Sequence, residues 1–168
     1  LAMRTRSACR AKIFRLRAAS TASRRLFCCT RNPGLLAGSG AYQAACVAQS
    51  MAREQLPELR IEVVDTRNVS LCQGWMAIEA ARAALAGKSL DDILTLLRRM
   101  IPVTRMVQTA DTLKYLYMGG RIGRAQALVG SLLNIKPLIG MEDGTIVALG
   151  KARSRQSAYQ AMVEMVER

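Results

Sequence analysis

The residues best suited to chemistry lie in the stretch YLYMGGRIGRAQALVG, Tyr115 to Gly130. An apolar run stops at Gly119 and Gly120. Arg121 follows, then Ile122, Gly123 and Arg124. Guanidinium groups grip carboxylates and phosphates bidentately. A glycine-rich turn that opens a helix adds free N–H groups and the positive end of the helix dipole. The spacing fits neither the dinucleotide loop GxGxxG nor the Gly-Lys-Ser/Thr of a phosphate loop. The competing reading is a helix stop, a turn and a restart, with both arginines solvated. A second stretch, Gly38-Ser39-Gly40, has the same anatomy ahead of a helix-forming run. There the Ser39 hydroxyl and nearby backbone N–H groups can meet a carboxylate, or Ser39 is an ordinary helix cap.

The composition narrows the chemistry further. The chain has no histidine, which removes Cys/His zinc sites and Ser-His or Cys-His catalytic pairs. Its five cysteines, Cys9, Cys28, Cys29, Cys46 and Cys72, form no CxxC pair and read as reduced thiols of a cytoplasmic protein. Asp65, at a strand end, reads as a turn cap. Asp91 and Asp92 suit the dipole of a helix's first turn. Trp75 and the methionine-containing helix face read as core. No nucleophile-base pair, metal site or cofactor is expected. An enzyme acting on phosphate esters through GGRIGR would need a general base, and no recognisable nucleophile-base pair accompanies that stretch. The balance favours a binder of an amphiphilic small molecule over an enzyme.

The surrounding pattern must position these residues. The chain has 168 residues, 51% of them apolar, enough for a core built from Leu, Ile, Val, Ala and Met. No apolar run approaches the roughly 20 residues of a membrane span. A helix follows Gly40, with Ala41, Ala45, Ala48 and Ala52 near one face and Tyr42, Cys46 and Val47 beside it. Arg60 to Asp65 is a strand. The run after Asn68 is a helix closed by Gly87. Ser89 and Asp92 mark the start of another helix through an approximate capping box, with Leu90, Ile93, Leu94, Leu96 and Leu97 as its apolar face. Ile101 to Ala110 is a strand candidate. Asp111 caps a short helix that Gly119 and Gly120 end, and a helix resumes from about Gly123 to Leu133. Two arms flank Glu142-Asp143-Gly144 as a β-hairpin. A last helix shares Ala158, Met162, Met165 and Val166 on one face. The order of helices and strands is that of a mixed α/β protein.

The net charge of +13 is unevenly spread: ten basic residues and no acid precede Glu54. Residues 1–36 are rich in Arg, Ala and Ser. They read as a nucleic-acid-binding arm, as a transit peptide, or as sequence from a shifted reading frame, non-native or without fixed structure. A nucleic-acid-binding protein using this segment is the alternative function.

From Asp111 to Ala158, the ordered motifs DTLKYLYMGGRI, LLNIKP, DGTIVALGKAR closely resemble the DegV family. GSGAYQAA and IEVVDTRNVSLCQGWMAIEAA resemble two further segments of it. Gly38 stands where leucine is usual, and Ala41 where threonine is usual. The resemblance implies a two-domain α/β architecture that holds a long-chain fatty acid between its domains. It also implies a role as the lipid-binding subunit of a fatty acid kinase, with an ATP-binding partner subunit that makes the acyl-phosphate. On that pattern Ser39, Gly40 and Arg121 are the candidates to bind the fatty acid carboxylate, Arg121 lying near the head group or on the kinase-facing surface, with Gly119, Gly120 and Arg124 as secondary candidates. The family's early TSQPS-like loop is absent. The expected division is 1–36 as the anomalous segment, 37–110 as part of the N-terminal α/β domain, and 111–168 leading into a truncated second domain. The chain is thus expected to be a fragment, incomplete at both ends.

Overall fold

The computed structural model describes residues 12–16, 24–29, 40–131 and 135–167, with side chains for 40–128 and 135–167. Two three-stranded sheets carry the architecture. In the first, β1 (Lys12–Leu16) runs antiparallel to β2 (Arg24–Cys29), and β2 runs parallel to β3 (Arg60–Asp65). Parallel neighbours need a crossover, and α1 (Gly40–Gln55) supplies it. KIFRL and RRLFCC, short runs inside the Arg-rich first third, thus form strands.

α1 presents Ala41, Tyr42, Ala45, Cys46, Gln49 and Ala52 as its half-buried face, while Val47 and Ala48 are exposed. Gln49 is the unforeseen member. It donates from Nε2 to the Ile61 carbonyl at 2.6 Å, tying α1 to β3. α2 (Ser70–Leu85) and α3 (Leu90–Met100) then enclose the first core. That core contains Met76, Ala80, Leu90, Ile93, Leu94 and Leu97, with Val64 of β3 packed against it. α2 ends as the glycine signal implies. The Gly87 N–H donates to Ala84 O and the Lys88 N–H to Ala83 O, closing the last carbonyls in a Schellman pattern. Ser89 and Asp92 form the full capping box of α3. Asp91 is not explained by the helix dipole alone, because it pairs bidentately with Arg60 of β3 at 2.8 and 3.1 Å.

The second sheet has the order β4 (Val107–Thr109), β5 (Lys136–Glu142), β6 (Thr145–Ala152), all antiparallel. β5 and β6 are joined by the two residues Asp143 and Gly144, both at positive φ, as an Asp-Gly hairpin requires. α4 (Lys114–Met118), a 3-10 stretch (Gly123–Ser131) and α5 (Arg155–Val166) accompany this sheet. Its core holds Met106, Leu113, Ile122, Ala125, Ile139, Met141 and Ile146. Val69 and Cys72, at the start of α2, pack on this second core, so α2 touches both cores.

Several expectations are corrected. The strand candidate Ile101 to Ala110 shrinks to three residues. The N–H groups of Val103 and Thr104 both donate to Met100 O, so the chain unwinds from α3 through a turn first. Asp111 does not cap α4. The Thr112 hydroxyl accepts from the Lys114 N–H at 3.1 Å, while the Asp111 carboxylate binds two distant cations. The helix restart at Gly123 is 3-10 rather than α over the described residues. Trp75 is half-exposed rather than core, with Arg82 stacked 5.4 Å from its ring centroid. Val166 points to solvent and leaves the face shared by Ala158, Met162 and Met165.

Candidate functional site around the Gly-Gly-Arg turn

The Gly119-Gly120-Arg121 turn is the end of a helix, and that decides what it can offer. The Gly119 N–H donates to Tyr115 O at 3.0 Å, the Gly120 N–H to Tyr117 O at 2.9 Å and the Arg121 N–H to Leu116 O at 2.8 Å. The last two bonds are those of a Schellman cap, with Gly120 as its left-handed residue at φ 65°. All three amides are therefore committed to α4 carbonyls. An anion cradle of backbone N–H groups does not form at Gly119 and Gly120. The dipole end here is the negative one, which suits a neighbouring cation.

What remains for an anion is the Arg121 side chain. It is exposed and donates from one guanidinium nitrogen to Gly119 O at 3.3 Å. It has no carboxylate partner among the described residues. Ile122, next in sequence, is buried in the second core and anchors the turn. Gly123 follows at φ 55°. A Cβ there would lie 2.6 Å from Ile146 O and 2.9 Å from Ile146 N, so only glycine lets the turn seat on β6. Arg124 is committed elsewhere, paired with Glu142 at 2.8 Å.

Of the other candidates, Ser39 lies outside the described residues. Gly40 opens α1, is exposed and belongs to the β1–β3 part of the molecule. The structure brings Gly119, Gly120 and Arg121 into one cap, with Arg124 beside it but facing Glu142.

Sequence reasoning missed two buried polar residues, Thr66 and Asn68, between β3 and α2. The Thr66 hydroxyl donates to Asn68 O at 3.1 Å, and Asn68 Nδ2 donates to Thr104 O at 3.3 Å. Asp65 does act as a turn cap, accepting from the Arg67 N–H at 3.0 Å. Arg67 and Ser70 adopt positive φ without being glycine, so this loop carries strain of about 1–2 kcal/mol per residue. Arg67 reaches the hairpin twice, through its carbonyl to the Gly144 N–H at 3.2 Å and through its guanidinium to Asp143 at 3.0 Å. The cue available in sequence was the polar run DTRN, which marks a turn and not what it packs on.

Apolar surface is plentiful. Leu71, Trp75, Ile78 and Leu85 line one exposed face of α2, and Tyr115 and Met118 are exposed on α4. A groove of about 430 Å³ lies beside α2 and α3, but Glu79, Arg82, Lys88 and Asp92 line it and it holds none of the candidate residues. Of the two cysteines whose side chains are described, both free, Cys72 has its thiol pKa pushed up by burial, which favours the protonated form. No cluster of three potential metal ligands occurs among the described residues.

Residues 37–168 match the family model described as an uncharacterised protein of the DegV family. A DegV domain-containing protein of Caldanaerobacter subterraneus subsp. tengcongensis is 36% identical over 129 residues, 77% of this chain and 45% of that protein. One of Clostridium acetobutylicum is 39% identical over 128 residues, 76% of this chain and 45% of its own length. Among solved structures, a DegV family protein from Thermus thermophilus described by its fatty acid binding superposes with TM-score 0.68 at 36% identity, covering 77% of this chain and 44% of that one. A stearic acid-binding protein from Eubacterium ventriosum gives TM-score 0.69 at 31% identity, covering 76% and 44%. The chain thus spans less than half the length of these relatives. With residues 37–168 matched and the mixed α/β fold shared, the chain belongs to the DegV family.

Proposed function

We propose that the chain is part of a protein that binds a long-chain fatty acid, with the carboxylate held by Ser39, Gly40 and Arg121. The observation that carries this reading is the fold it shares with family members described as fatty-acid-binding, one of them with stearic acid. Support comes also from Arg121, an exposed cation with no carboxylate partner among the described residues. Gly119 and Gly120 shape the turn that carries Arg121, and Arg124 braces it through Glu142. Each methylene of the acyl chain withdrawn from water contributes about 0.8 kcal/mol, so the tail supplies most of the affinity and the head group the orientation.

The protein holds the acid in the cytoplasm and presents its carboxylate to a separate ATP-binding kinase subunit. There a carboxylate oxygen attacks the γ-phosphorus of ATP, ADP leaves, and an acyl-phosphate forms. The chain itself binds and orients. The test is mass spectrometry of a denatured extract of the purified chain. A long-chain fatty acid near one per chain is expected, and an extract free of lipid overturns the reading. Adding ATP and the ATP-binding subunit of a bacterial fatty acid kinase then tests presentation, with acyl-phosphate as the readout.

A further inference from the structure

The segment from 111 to 124 carries the Gly-Gly-Arg turn, and ion pairs hold both of its ends to β5. At the near end, the Asp111 carboxylate accepts from Lys136, the first residue of β5, at 2.8 Å, and from Arg155 at the start of α5. At the far end, Arg124 pairs with Glu142, the last residue of β5, at 2.8 Å. The two clamps are separated by the length of the strand, about 20 Å at 3.4 Å per residue. Between them, Ile122 is buried and Gly123 seats on the Ile146 backbone. Arg121 stands on this bridge with its guanidinium exposed.

We infer that Asp111 and the Arg124–Glu142 pair are positioning groups for Arg121, two clamps that hold its turn across β5 and aim its guanidinium outward. None of these side chains is buried, so each pair contributes little to global stability. Their contribution is the order of one segment. Asp111 is suited to this because one carboxylate joins three elements: the β4–α4 connection, β5 and α5. The inference rests on Arg121 being the head-group ligand, and its test is chosen so that the two ideas fail separately.

The experiment is hydrogen exchange on the chain and its variants Asp111→Asn, Asp111→Glu and Glu142→Gln. The Gly120 and Arg121 amides report directly, because they are bonded to α4 carbonyls. In Asp111→Asn and Glu142→Gln, exchange over residues 120–125 rises about twofold to fivefold, as loss of an exposed ion pair allows. Exchange in α3 and the melting temperature stay unchanged, and Asp111→Glu restores protection. Unchanged exchange at 120–125, or a rise spread evenly over the second sheet, overturns the inference. A second arm titrates the intrinsically fluorescent fatty acid cis-parinaric acid. Asp111→Asn weakens its binding by a similar factor, and by nothing further when Arg121→Ala is already present. Equal losses in both backgrounds also overturn the inference. If the unmutated chain binds no cis-parinaric acid, the head-group reading falls and the exchange result still decides the clamps.

Discussion

Arg121 and Arg124 stand three residues apart and meet different fates. One pairs with Glu142 and the other keeps its charge for solvent or a ligand. Residue type and spacing marked both as cations able to bind an anion. Only the fold separates them, because Glu142 comes from a hairpin 18 residues on. Asp111 shows the same limit. Read locally it is a helix cap, yet its partners are 25 and 44 residues away. Its hydrogen bonds from Arg155, then Lys136, and their positive charge push its carboxyl pKa down to about 2. A depressed folded-state pKa stabilises the fold above the ordinary aspartate value, and that contribution is lost as pH falls from there toward 2. An NMR titration of the Asp111 carboxyl is therefore expected to stay ionised until about pH 2. In Arg155→Ala the midpoint should move back toward 3.9. A midpoint unchanged by that substitution would remove Arg155 as the main cause.

Elements read best where the signal is local. Ser89 and Asp92 are three residues apart, and that spacing alone gives the capping box the structure contains. Ser89→Ala is expected to cost about 1 kcal/mol in urea unfolding, from loss of the cap. The hairpin was equally legible, because Asp-Gly specifies a two-residue loop, which sets the register from Glu142 back to Ile139; a bulge then shifts it at Leu138. The Gly-Gly-Arg turn was half legible. Its glycines announce a break, but a break can start a helix or end one. The backbone bonds decide for an ending, and they withdraw the amides from ligand binding. Gly123 carries the sharpest expectation at this scale. Gly123→Ala puts a Cβ against the Ile146 backbone at an unfavourable positive φ, and should cost at least about 2 kcal/mol. A variant as stable as the parent would mean that the turn does not seat on β6.

At the scale of the molecule, α2 joins two cores and leaves a row of apolar side chains uncovered. Leu85 is 90% exposed and Leu97 is fully buried, though both are leucines on neighbouring helices. Leu97→Ala should cost about 2–5 kcal/mol through the cavity it leaves. Leu85→Glu should fall within about 0.5 kcal/mol of the parent. The mixed α/β class and the element order from Gly40 were legible because helical and strand periodicities alternate plainly there. The strands of the first third were not, because arginine-rich runs give no alternation to follow. Nor does any local pattern state that α2 bridges two cores, since Val69 and Cys72 meet residues far along the chain.

The central claim is that Arg121 holds the carboxylate of a fatty acid bound by this chain. Its most direct test is a titration of cis-parinaric acid into the chain and into Arg121→Ala, with melting temperatures measured in parallel. Saturable binding is predicted for the parent. In the variant, binding should weaken about tenfold or more, as loss of a charge-assisted hydrogen bond implies, while the melting temperature holds. Saturable binding of equal strength in both proteins, or none in the parent, would contradict the account.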